Sequence, residues 1–83
     1  MVEELWTVSI DEAKAFIEQQ GGIIKTADAV YLHGGCRIEL CEAEDHILGG
    51  MHFPRVCLKL SGDEKDADEF HRRFVLRFMS AGG

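Results

Sequence analysis

Three cysteines and four histidines are the side chains of this 83-residue chain best suited to hold a metal or to exchange electrons. His33, Cys36, Cys41 and His46 follow the spacing H-x2-C-x4-C-x4-H, and imidazole and thiolate are both tetrahedral zinc ligands. These four form the candidate metal set. If residues 36–41 form a strand, period-two alternation turns Cys36 and Cys41 to opposite faces, which leaves Cys36 as a small buried side chain instead. Cys41 and Cys57 are the candidate redox pair. Opposed on neighbouring strands, they would form a strained, easily reduced bridge or bind a soft metal; otherwise they are two reduced thiols. Acid–base groups also exist, since His46 and His52 flank Gly49-Gly50 with Asp45 beside them. No nucleophile elbow, phosphate loop, metalloprotease or paired-carboxylate pattern accompanies them. A chain this short has little depth for a water-excluding pocket. The reading is therefore non-enzymatic, with no cofactor.

Positioning these residues falls to segments separated by glycine doublets, Gly21-Gly22, Gly34-Gly35, Gly49-Gly50 and Gly82-Gly83. Leu5 to Val8 is short and β-prone. Ser9 followed by Glu12 is a capping-box start, and Ile10, Ala13, Phe16 and Ile17 make one helical stripe up to Gly21. Ile23 to Thr26 reads as extended, turning at Ala27-Asp28. Val30 to Leu32 and Cys36 to Cys41 flank the Gly34-Gly35 break. Face parity there favours a three-residue hairpin loop, which keeps Val30 and Leu32 on the side of Ile38 and Leu40. Arg55 to Leu60 alternates strictly and reads as a half-buried strand. Set antiparallel to Cys36–Cys41, its best register pairs Ile38 with Leu60, Leu40 with Leu58, Glu39 with Lys59 and Cys41 with Cys57. After Asp63, acids crowd the first half of a helix and arginines the second, with Ala67, Phe70, Phe74 and Phe78 as its apolar stripe.

The expected fold is a single α+β domain over residues 1–83, β-α-β-β-β-α, an antiparallel sheet with two helices packed on one face. Val30, Leu32, Ile38, Leu40, Val56, Leu58 and Leu60 should face the helices. Tyr31, Arg37, Glu39, Cys41, Cys57 and Lys59 should face away. That uncovered face is either solvated or a docking surface. Residues Glu42 to Pro54 read as a connection longer than a hairpin needs. It runs through Glu44, Asp45, Leu48, Met51 and Phe53, and Met, Leu and Phe suit an adaptable contact surface. The alternatives are a short helix or an extra hairpin. The candidate partner-binding residues are thus Tyr31, Arg37, Glu39, Lys59, Glu44, Asp45, Leu48, Met51 and Phe53.

Composition narrows the partner. Fifteen acidic against nine basic residues give a formal charge of −6, which repels phosphate backbones and anionic membranes. Another protein, with a basic surface in the sharpest version, is the expected partner; nucleic acid and membrane are not. So short a chain has a marginal core of its own, so a homodimer is expected too. The first residues lack the basic region and apolar run of a signal peptide. An odd number of cysteines fits reduced thiols, which places the protein in the cytoplasm. The function expected is that of a small acidic protein-interaction module, of adaptor or inhibitor type.

Two family resemblances give alternatives. The His33, Cys36, Cys41, His46 spacing resembles that of retroviral-type zinc knuckles with ligand types exchanged, which implies a zinc-binding module. The ending Met79-Ser80-Ala81-Gly82-Gly83 on a small acidic protein resembles ubiquitin-like sulfur carriers. That resemblance implies a terminal carboxylate that is adenylated and then thiocarboxylated, on a flexible tail able to thread into a narrow active site. It also implies a β-grasp fold, which opens with a β-hairpin before its main helix and enters the tail from a strand.

Overall fold

Ser9 and Asp63 start the two helices by the same device. The Ser9 hydroxyl accepts the Glu12 N–H at 3.1 Å, and the Asp63 carboxylate accepts the Asp66 N–H at 2.9 Å. Each satisfies one of the backbone donors that a helix start leaves free. The computed structural model describes residues 1–79. Helix α1 spans Ile10–Gln19 and helix α2 spans Glu64–Met79. Five strands complete the chain: β1 (Val2–Trp6), β2 (Ile23–Ala27), β3 (Val30–His33), β4 (Cys36–Leu48) and β5 (Met51–Gly62). The element order is therefore β-α-β-β-β-β-α. It has one strand more than β-α-β-β-β-α counts, and the five strands correspond to the five extended segments read from the sequence. The first strand also lies three residues earlier than expected.

All five strands join one antiparallel sheet in the order β1-β5-β4-β3-β2. The β4–β5 register is the expected one: Ile38 faces Leu60, Leu40 faces Leu58, Glu39 faces Lys59 and Cys41 faces Cys57. Both helices cover one face. Ala13 and Ile17 of α1 and Ala67, Phe70 and Phe74 of α2 are buried with Ile38, Leu40, Val56, Leu58 and Leu60. Burying each large side chain contributes about 1.5–3 kcal/mol. Phe74 is the hub of this layer. Its ring meets Trp6 at 5.2 Å, Phe16 at 5.9 Å and Phe78 at 4.7 Å, spacings at which aromatic edges and faces attract.

The hairpin β3–β4 corrects the expected faces. Its loop is the two residues Gly34-Gly35, with Tyr31 opposite Ile38 and Leu32 opposite Arg37. Tyr31 is consequently fully buried among the core residues, while Leu32 is 38% exposed on the other face and Val30 shares that face. Two physical causes act together. Gly34 takes φ +58°, which suits the first position of a two-residue turn. The Tyr31 hydroxyl reaches out of the core to donate to the Glu18 carboxylate of α1 at 2.7 Å, so its one polar atom is satisfied. Asp66 of α2 then locks the turn by accepting the Gly35 N–H at 2.8 Å.

The segment Glu42 to Pro54 is likewise not a loop. β4 and β5 simply continue, pairing to Leu48 opposite Met51 around a Gly49-Gly50 turn. Both glycines have positive φ, +58° and +81°, as a type I′ turn requires. Between Ala43 and His46 the register shifts, so that Glu44 and Asp45 stand against Pro54 alone. This is a β-bulge, a place where proline's missing N–H is tolerated. Arg55 Nε donates to the bulged Glu44 carbonyl at 2.8 Å. The hairpin end carries exposed Ile47, Leu48 and Met51.

Candidate functional site

The sheet face that neither helix covers is the surface that the fold leaves open. Cross-strand pairing places Ile24 of β2, Val30 and Leu32 of β3, Arg37, Glu39 and Cys41 of β4, Cys57 and Lys59 of β5, and Glu3 and Leu5 of β1 on it. Three large apolar side chains there meet solvent: Ile24 is 66% exposed, Leu5 57% and Leu32 38%. Charge on this face is balanced. The Arg37 guanidinium pairs with the Glu39 carboxylate at 3.1 Å, and Lys59 lies across from both Glu39 and Glu3. The protein's acidic surplus sits elsewhere, at the start of α2 (Asp63, Glu64, Asp66, Asp68, Glu69) and around the bulge (Glu42, Glu44, Asp45). Thr26, Ala27, Val30, Leu32 and Arg37 line a shallow depression of about 270 Å³ toward the β2 edge.

Of the residues singled out from sequence, Arg37, Glu39 and Lys59 stand together on this face. Phe53 and Met51 follow Arg55 and Cys57 along the same side of β5, and Leu48 stands opposite Met51. Glu44 and Asp45 occupy the bulge beside them. Tyr31 does not belong to this face, for it is in the core. Its phenol is held well above the usual range by burial and by the hydrogen bond to Glu18. Leu5, Ile24, Val30 and Leu32 belong to the face and escaped the sequence reading. For Leu5 the signal was in reach, since the alternation Val2, Glu4, Trp6 against Glu3, Leu5 assigns it.

The proposed zinc ligands are not brought together. Cys36 is buried in the core, Cys41 is exposed on the opposite face, and His46 lies beyond the bulge opposite Phe53. Instead His33 meets two acids of α2. Single ligand atoms of His33, Asp66 and Glu69 all lie within 4.8 Å of one another, with His33 Nε2 3.6 Å from Glu69. A nitrogen and two carboxylates make a donor set for a divalent cation. Both carboxylates already have partners, however, the Gly35 N–H for Asp66 and the Arg73 guanidinium at 2.7 Å for Glu69. The His52 ring lies 3.7 Å from Asp45, both exposed at the hairpin, with no enclosure around them. By contrast Cys41 and Cys57 are brought side by side on the uncovered face. Burial, with Glu3 next, pushes the Cys57 thiol up.

No helix among the described residues is long and apolar enough to cross a membrane. The family described as archaeal MoaD-like protein matches residues 2–83, and the chain belongs to that family. Comparison with curated proteins and with solved structures finds no match.

Proposed function

We propose that this member of the archaeal MoaD-like family works without catalysing a reaction, by docking its uncovered sheet face on another protein. One observation carries this: a five-stranded sheet with both helices on one side leaves Ile24 and Leu32 exposed on the other, beside the Arg37–Glu39 pair, with Leu5 exposed at the far edge. An apolar patch set among balanced charges is the composition of a protein contact surface. It suits a partner of mixed charge better than a strongly basic one, because the acidic surplus points elsewhere. The hairpin residues Leu48, Met51 and Phe53 extend the same surface, and a homodimer would use part of it. The test replaces Leu32 and Ile24 by arginine, singly and together. Ile24 is largely exposed and Leu32 meets solvent on the same face, so thermal melting should change little while self-association or partner capture falls at least tenfold. Unchanged association with an intact fold would refute the reading.

A second reading is that of a ubiquitin-like sulfur carrier, with Gly83 bearing the reactive carboxylate. The family match favours it, since it runs through Gly82-Gly83. Those two glycines lie outside the described residues. The element order weighs on the other side, for one strand rather than a hairpin precedes α1, and a helix runs to Met79. Intact-mass analysis of protein isolated from its native cells decides this reading. A species with one oxygen exchanged for sulfur at Gly83 supports it, and its absence from cells making sulfur-containing cofactors counts against it.

A further inference from the structure

Cys41 and Cys57 are direct cross-strand partners in β4 and β5, in the regular ladder before the bulge at Glu44 and Asp45. Directly opposed residues of an antiparallel pair have Cα atoms about 4.5 Å or about 5.5 Å apart, depending on which hydrogen-bond ring they occupy. Both values lie within the roughly 4.4–6.8 Å span of real disulfides. Their Cβ atoms, about 4.5–5.5 Å apart, must close by up to about 1 Å to reach disulfide geometry. A bridge formed there is strained, and strained bridges are the ones readily reduced again.

Access favours the same pair. Cys41 is exposed and Cys57 half-buried on the face that no helix covers, whereas Cys36 is buried on the opposite face with its Sγ 3.6 Å from the Arg37 carbonyl. Lys59, two residues from Cys57 on the same face, offsets part of the effect of Glu3 on the Cys57 thiol.

We infer that Cys41 and Cys57 form a reversible thiol–disulfide site on the uncovered sheet face, responsive to low-molecular-weight disulfides such as oxidised glutathione. The exposed Cys41 thiolate attacks one sulfur of the small disulfide, forming a mixed disulfide and releasing one glutathione thiolate. Cys57 loses its proton to water and attacks the Cys41 sulfur, forming the Cys41–Cys57 bond and releasing the second glutathione. Two protein thiols are oxidised and one small disulfide is reduced to two thiols. The site stands on the strand register and is independent of the docking reading.

The experiment exposes the full chain to oxidised glutathione at neutral pH, quenches with acid, alkylates under denaturing conditions and maps peptides by mass spectrometry. Free thiols should fall from three to one. The remaining thiol should be Cys36, and the product should lack two hydrogens with no glutathione attached. Glutathione at millimolar concentration should restore all three thiols. In Cys57→Ser the reaction should stop at a stable glutathione adduct on Cys41, which separates a missing resolving thiol from a misfolded variant. The inference is overturned if wild-type protein accumulates the Cys41 adduct while Cys57 stays free. It is equally overturned if the only bridge formed links two molecules.

Discussion

Replacing Tyr31 and Leu32 separately by alanine tests the parity on which every face assignment depends. Tyr31 is fully buried and Leu32 is 38% exposed, although leucine is the more hydrophobic and neighbours it in sequence. Removing a buried aromatic ring costs about 3–5 kcal/mol, through lost transfer energy and the cavity left behind. The cavity would open beside Ile38 of β4, on the side where the Tyr31 hydroxyl reaches Glu18 of α1. Leu32→Ala removes a side chain that already meets solvent, so its cost should stay within about 1 kcal/mol. A domain of this length has about 4–12 kcal/mol of stability in all. With a urea slope of about 1 kcal/mol per molar, Tyr31→Ala should lower the unfolding midpoint by about 3–5 M and Leu32→Ala by less than about 1 M. Far-UV circular dichroism during urea titration reads both. Tyr31→Phe keeps the ring and should fall near wild type. If Leu32→Ala is the more damaging substitution, the hairpin has the three-residue loop and the sheet faces are reversed on β3.

Gly34 and Gly49 share a φ of +58°, yet a Cβ on Gly34 would fall 2.5 Å from the Asp66 carboxylate while one on Gly49 meets nothing within 4 Å. Gly49→Ala should therefore show backbone strain alone, about 1–2 kcal/mol, and Gly34→Ala a further drop in melting temperature; equal losses would contradict the packing of α2 on the turn. Asp66→Ala removes the acceptor of the Gly35 N–H and should cost about 1 kcal/mol, or about 4–8 °C of melting temperature, with Asp66→Asn recovering most of it. Acid should also weaken the fold in a defined window. The hydrogen bond from Tyr31 holds the Glu18 carboxyl below its ordinary value, and the hydrogen bond from Lys14 does the same for Asp28. A depressed folded-state pKa contributes stability that is complete above the unfolded value, about 4, and is lost as pH falls through the folded value. Melting temperature should thus decline below about pH 4.5, and Tyr31→Phe should flatten the part that belongs to Glu18.

Local pattern determined much of this molecule. Ser9 with Glu12, and the spacing of Phe70, Phe74 and Phe78, define the helices because caps and apolar stripes act within one or two turns. The β4–β5 register was legible because Glu39 with Lys59, Cys41 with Cys57 and two aliphatic pairs match in a single alignment. Tyr31 and Leu32 could not be assigned that way. A tyrosine serves either face, and what turned it inward was Glu18, 13 residues earlier, standing where α1 crosses the sheet. The hairpin beyond Ala43 stood only as one alternative for a related reason, since the extra residue at the bulge breaks the period-two pattern just where it would have revealed continuing strands. His33 with Asp66 and Glu69 is a product of packing alone, brought together when α2 folds back over the Gly34-Gly35 turn. Short-range hydrogen bonds and alternation are written in neighbouring residues, but a polar atom's partner across the core exists only once two elements have packed.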